Sequence, residues 1–149
     1  MLAKGDEAPH FEGTDQDGNK ITTADLIGKK WVLFFYPKAD TPTCTIEACN
    51  MRDNYQDLQT AGYTVIGISA DDSRKQKKFQ EKHLLPYTLI ADTEKTICNA
   101  YGVWGPKKFM GREYEGIHRT TFVVNENGIL EKVITDVKAK THSKQILAK

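Results

Sequence analysis

The feature that most restricts what this chain can fold into is the run Trp31-Val32-Leu33-Phe34-Phe35-Tyr36, closed by Pro37 and followed by Thr41-Pro42-Thr43-Cys44. Six consecutive apolar or aromatic residues, with no polar alternation, have the length of a strand and require cover on both faces, as a central strand receives. Pro37 ends the run because proline lacks the N–H that a ladder needs. Thr41 and Pro42 then read as the N-cap and first residue of a helix. Threonine can accept from a free backbone N–H, and proline has none to leave unsatisfied. Cys44 therefore falls in a first helical turn, just beyond a buried strand.

The rest of the chain alternates around that strand. Phe11 to Thr14 and Lys20 to Thr22 flank the turn signal Asp15-Gln16-Asp17-Gly18-Asn19 and predict an N-terminal β-hairpin. Thr23 to Ile27 reads as one helical turn stopped by Gly28. The helix carrying Cys44 is expected from about Pro42 to Thr60, with Ile46, Cys49, Tyr55 and Leu58 inside and Arg52, Asp53 and Gln56 outside. Tyr63 to Ser69, rich in β-branched residues, predicts a second buried strand, after which Asp71 and Asp72 cap a basic helix ending near His83. Tyr87 to Ala91 predicts a short strand, and Asp92 or Thr93 caps a helix that ends at Gly102. This order argues for an α/β domain with helices covering a largely parallel core, joined by right-handed crossovers. Val103 to Gly116 has no period and is expected as a long, functional connection. Thr120 to Val124 and Ile129 to Thr135 flank Asn125-Glu126-Asn127-Gly128 and predict a hairpin, and a short helix spans Thr141 to Leu147.

At 149 residues, one domain over 1–149 is expected, large enough to bury roughly 68 to 70% of the unfolded surface without disulfide staples. Three cysteines are too few, and odd in number, for a secreted disulfide framework. A formal charge of +1 provides no global field for nucleic acid or an acidic membrane. The basic cluster Arg74 to Lys78 reads as a solvated helix face. Met1 to Glu7 contains no apolar core of signal-peptide length, so the expectation is a soluble, cytoplasmic protein without a membrane partner.

Chemistry concentrates at Cys44. A cysteine attacks as its thiolate, which first-turn helix amides and a nearby cation favour. The alternative, a small hydrophobe packed in a helix, suits a helix interior better than a Thr-Pro-Thr start. Cys49 lies five residues on, which in an ideal helix separates the α-carbons by about 8.7 Å. A disulfide needs less than about 7 Å, so joining the two requires local unwinding. Nor is the spacing that of a Cys-x-x-Cys dithiol. Cys98, among Ile97, Ala100 and Tyr101, reads as core. Arg119, at the mouth of the apolar Thr120 strand, is the remaining candidate cation, since its fork can hold a thiolate and an incoming oxygen together; the plainer reading is a salt bridge at a strand end. His118 reads as structural. A zinc site is disfavoured, because only Cys44 and Cys49 are close and the usual short Cys spacing is missing.

Pro37-x-x-x-Thr41-x-x-Cys44, then Thr45-x-Glu47-Ala48-Cys49-x-x-Arg52-Asp53, together resemble the active-site signature and two-cysteine helix of the peroxiredoxins, most closely the peroxiredoxin Q or bacterioferritin-comigratory-protein subfamily. Tyr101-Gly102-Val103-Trp104-Gly105 and Phe109-Met110-Gly111 through Gly116-Ile117-His118-Arg119 are similar too, so the resemblance covers almost the entire chain. It departs at Thr43, where glycine is common, and at Met51, where an aromatic residue or leucine is frequent. Thr43 bears on how readily the helix unwinds, because glycine there would loosen it.

The resemblance implies a thioredoxin-like fold, with a central mixed β-sheet flanked by helices, and a thiol peroxidase acting on hydrogen peroxide and organic hydroperoxides without a cofactor. It makes Cys44 the peroxidatic and Cys49 the resolving cysteine. Arg119 becomes the active-site arginine, Thr41 the hydroxyl that orients peroxide, Pro37 a shield for the thiolate, and Glu47 a support for Arg119. It also implies a monomer recycled by thioredoxin or glutaredoxin. The competing reading is a non-enzymatic redox sensor or thiol relay that passes oxidation to another protein.

Overall fold

Five strands form the main sheet, and the Trp31 run is its middle. The computed structural model describes residues 2–148. Strand β3 (Lys30–Phe35) pairs in parallel with β4 (Tyr63–Ser69), which pairs in parallel with β5 (Thr88–Ala91). On its other side β3 pairs antiparallel with β8 (Thr120–Val124), and β8 with β9 (Leu130–Ile134). The sheet is therefore mixed, and its parallel part covers only the first three strands in sequence.

The side chains of β3 alternate between two cores. Trp31, Leu33 and Phe35 join Phe11, Ile97, Tyr101 and Phe122 on one face. Val32, Phe34 and Tyr36 join Ala48, Met51, Leu58, Phe79 and Ile146 on the other. Burial on both faces explains why the run has no polar alternation, and each fully buried large side chain contributes about 1.5–3 kcal/mol. On this second face the packing is tight at Gly67, between its cross-strand neighbours Phe34 and Leu89, where a Cβ would stand 2.8 Å from Phe34 and 2.9 Å from Leu89; no larger residue fits there without moving an aromatic ring.

Helices α1 (Pro42–Asp53), α2 (Tyr55–Thr60), α3 (Ser73–His83), α4 (Thr96–Ala100) and α5 (His142–Leu147) surround the sheet. The helix expected from Pro42 to Thr60 is divided at Asn54, which leaves helical geometry at φ −112°, ψ 17°. Its side-chain amide donates to the Asn50 carbonyl at 2.9 Å, and such local bonds compete with helix propagation. The expected inward face was also wrong in part. Ile46 is exposed, whereas Cys44, Glu47, Ala48 and Met51 are buried. A fully buried glutamate cannot be anticipated from helical periodicity, because only a distant partner makes it tolerable.

Val103 to Gly116 is not a structureless connection. It forms most of a second hairpin, β6 (Trp104–Phe109) and β7 (Arg112–Ile117), paired in register from Trp104↔Ile117 to Phe109↔Arg112. The turn is Met110-Gly111, with φ of 52° and 80°. Positive φ at both central residues matches the twist of a two-residue hairpin, and methionine in the first place conceals the signal that Asn-Gly would have shown. The N-terminal hairpin, β1 (Glu12–Thr14) with β2 (Lys20–Thr22), forms as expected. In the basic α3, Arg74, Lys75 and Lys78 are exposed, but Gln76 is buried and bonds to Tyr36, Ser69 and Ile90. Among the described residues no helix is long and apolar enough to cross a membrane.

Candidate active site

The end of β3 positions the site. Pro37, half-buried, follows the strand, and Thr41 precedes α1 in extended geometry. Thr41 does not cap as expected. Its hydroxyl donates to the Lys38 carbonyl at 2.8 Å, which ties the loop to itself instead of closing the helix. Its carbonyl still receives the first helical bond, from Thr45 N at 2.9 Å. Among the described residues the amides of Thr43 and Cys44 have no protein acceptor. Such open first-turn N–H groups attract negative charge.

Cys44 is the third residue of α1 and only 2% exposed. Register explains its partner. Phe35, the last residue of β3, lies opposite Thr120, the first of β8, so the residue before Thr120 reaches the strand end where α1 begins. That residue is Arg119. Its Nη2 donates to Cys44 Sγ at 3.3 Å and its Nη1 to Glu47 Oε1 at 2.5 Å. Glu47 lies one turn along α1 from Cys44 and is fully buried. A planar guanidinium can serve a sulfur and a carboxylate at once, whereas a single ammonium cannot span both.

Three polar residues absent from the sequence reading adjoin this group. Lys107 of β6 donates to the Ile117 carbonyl at 2.8 Å; burial and then the Arg119 charge lower its pKa, while Cys44 raises it. His142 and Thr121 form the third side, behind Glu47. Arg119 also lines a groove of about 660 Å³ whose walls include Tyr101, Val103, Trp104, Pro106 and Phe122.

The two other cysteines differ sharply. Cys49 is half-buried in the same continuous helix as Cys44, and both are free thiols. Helical geometry still keeps them about 8.7 Å apart at the α-carbons. Cys98 is fully buried and its thiol is pushed far up, first by burial and then by Asp92. It is core, as expected. The ring of the exposed His118 bonds to the Pro106 carbonyl at 3.1 Å, away from Cys44.

Burial raises the Glu47 carboxyl from its ordinary 4.5 to about 7, against the pull of Arg119. A carboxyl whose folded pKa exceeds its unfolded one stabilises the fold while protonated. That contribution is complete below about 4.5 and is lost as pH rises through about 7. His142 has the opposite sign. Burial, with help from the Arg119 charge, lowers it from 6.5 to about 3, so its contribution is held above 6.5 and lost as pH falls towards 3. Glu47→Gln is accordingly expected to flatten the decline in stability between pH 4.5 and 7. Urea unfolding across that window checks this; an unchanged slope would show that Glu47 is not the titrating group.

Comparison with known proteins settles the family. Residues 4–133 match the AhpC/TSA family, and the chain is 44% identical over 146 residues to peroxiredoxin Bcp of Escherichia coli K12, covering 98% of this chain and 94% of that one. The chain belongs to the AhpC/TSA family. It is a peroxiredoxin of the Bcp or peroxiredoxin Q type, a thiol-dependent peroxidase with a thioredoxin-like fold. The crystal structure of peroxidoxin BcpB from Mycobacterium tuberculosis superposes with a TM-score of 0.88 at 34% identity, covering 99% of this chain and 96% of that one. Xanthomonas campestris bacterioferritin comigratory protein, solved as a trapped intermediate/ligand complex bearing on its alkyl peroxide reduction activity, gives 0.86 at 27% identity, covering 93% and 88%. These relatives carry the enzyme reading, not that of a non-enzymatic sensor.

Proposed function

We propose that this peroxiredoxin reduces hydrogen peroxide and organic hydroperoxides with Cys44 as the peroxidatic and Cys49 as the resolving cysteine. The observation that carries the reading is the Arg119 guanidinium 3.3 Å from the Cys44 sulfur at the open start of α1. The Cys44 thiolate attacks the near oxygen of ROOH, and the O–O bond breaks. Cys44 becomes a sulfenic acid and RO⁻ leaves, taking a proton to become ROH. Arg119 and the free Thr43 and Cys44 amides stabilise the charge on the oxygens, Thr41 orients the peroxide, and Pro37 shields the sulfur. Cys49 then displaces hydroxide from the sulfenic sulfur, forming the disulfide and, with a proton, water. A dithiol protein, thioredoxin or glutaredoxin, returns both thiols by exchange. The apolar groove beside Arg119 and the Xanthomonas relative support organic hydroperoxides as substrates. We assign the enzyme to the cytoplasm as a monomer of one domain.

Resolution requires α1 to open, and its bonds define what must break. Asn50 donates to the Lys140 carbonyl at 2.9 Å and accepts from Ser143 N at 2.8 Å. Arg52 reaches the His83 carbonyl at 2.7 Å, and the Tyr87 hydroxyl donates to the Ala48 carbonyl at 2.7 Å. An exchanging segment of this kind lies within a few kcal/mol of its opened form. Cys49→Ser is expected to consume one equivalent of peroxide per chain at the parental rate and then stall with thioredoxin as the only reductant. Stopped-flow oxidation followed by mass spectrometry checks this. Undiminished multiple turnover would remove Cys49 from the cycle.

A further inference from the structure

His142, the first residue of α5, is fully buried and has no part in the reaction just described. Its ring lies edge-on to Phe34, with centroids 5.7 Å apart and planes at 78°, so the core holds the ring plane. Nε2 stands 2.7 Å from Thr121 Oγ1. Nδ1 stands 3.1 Å from Glu47 Oε2. That contact falls short of hydrogen-bond alignment, and neither atom has another partner among the described residues. A buried polar atom left unpaired is destabilising, because it has lost water and gained no partner. Two such atoms at contact distance, on a ring and a carboxylate that each need only rotate slightly, complete one another.

The polar row thus runs from Thr121 on β8 through His142 and Glu47 to Arg119 and Cys44. Among the described residues, the charged and titratable groups facing Glu47 are Arg119 from the β8 entry, His142 from α5 and Tyr87 from the segment before β5. Burial keeps the imidazole neutral at pH 7, with a single N–H to give. The Thr121 hydroxyl can donate to Nε2, which leaves that N–H on Nδ1, facing the carboxylate. Arg119 occupies Oε1, and His142 is the group in place to secure Oε2. With both oxygens engaged, the carboxylate cannot swing and carry the guanidinium off the sulfur.

We propose that His142 is a positioning residue of the peroxidase centre: through Nδ1 it holds the Glu47 carboxylate at the orientation that keeps Arg119 on the Cys44 sulfur. The proposal rests on the assignment of Cys44 and Arg119 above. It differs from simple packing, because packing needs the volume of the ring and not a polar hydrogen at one particular atom.

The amide nitrogen of asparagine falls where Nδ1 stands, and that of glutamine falls where Nε2 stands. His142→Asn is therefore expected to rescue the rate of the first oxidation of Cys44, while His142→Gln loses on the order of tenfold or more, as small misplacements of catalytic groups do. Both are measured by stopped flow with hydrogen peroxide, beside the unsubstituted protein and with thermal unfolding of each. Equal rates in the two variants, or losses that track melting temperature alone, overturn the proposal. A further measurement requires no His142 variant to fold. Nitrogen NMR of the imidazole in the reduced protein is expected to show a neutral ring protonated at Nδ1, whose signals move on Glu47→Gln; signals unmoved by that change overturn it. Failure of Cys44 to oxidise in the unsubstituted protein would instead remove the underlying site assignment.

Discussion

Cys44→Ser is expected to reduce peroxide consumption to background, a loss on the order of 10⁴-fold or more, as deletion of an enzyme's nucleophile does. A serine hydroxyl at the same place stays protonated at pH 7 and is a far poorer nucleophile, so the Thr43 amide and Arg119 would address a group that cannot attack. The substitution is small. Cys44 is buried at 2% exposure, and a hydroxyl there still has Arg119 for a partner, so the fold should survive. Peroxide consumption with an excess of dithiol reductant measures the effect. Turnover surviving in Cys44→Ser would transfer the chemistry to Cys49, since Cys98 is sealed in the core.

Arg119→Ala is expected to slow the oxidation of Cys44 by on the order of 10²- to 10³-fold, the usual consequence of losing one preorganised donor to developing charge. It has a second effect that Cys44→Ser lacks. Glu47 would be left buried without its cation, and breaking a buried pair from one side costs about 3–5 kcal/mol. Protonation of Glu47, whose carboxyl already sits at about 7, relieves that loss on the acid side. The variant should therefore be markedly less stable at alkaline than at acid pH. Arg119→Lys keeps the charge but not the fork, so it should recover part of the stability and little of the rate. Stopped-flow rates and urea unfolding at two pH values separate the effects. A parental oxidation rate in Arg119→Ala would leave the open amides of α1 as the sole source of stabilisation.

Much of the fold was legible because its signals are local. The Trp31 run announced a strand buried on both faces, Pro37 its end, Pro42 the helix start, and Asn125 to Gly128 a turn. Errors arose where a local preference met a competing contact. Asn54 breaks the long helix through its own side chain, Thr41 bonds backwards to Lys38, and Met110 turns the β6–β7 hairpin without the residue that usually marks one. At the candidate site, the placement of Cys44 in a first helical turn was legible from Thr41 and Pro42, and that of Arg119 from its position at a strand mouth. His142 was not, since a histidine near a short C-terminal helix has no pattern that distinguishes core from surface.

What the amino-acid sequence by itself determined is the immediate frame of Cys44, the proposed nucleophile: strand, proline, loop, and a helix that carries Cys44 in its first turn. Those follow from hydrogen-bonding and packing preferences that act over a few residues. The tertiary structure alone decided which groups meet that sulfur. Antiparallel pairing of β3 with β8 brings Arg119 to it across 75 residues of chain. The same pairing makes it tolerable to bury Glu47, and the final helix then encloses the carboxylate with His142. A buried charge is acceptable only beside a partner, and the partner's position is a property of the assembled sheet, not of any short stretch of chain.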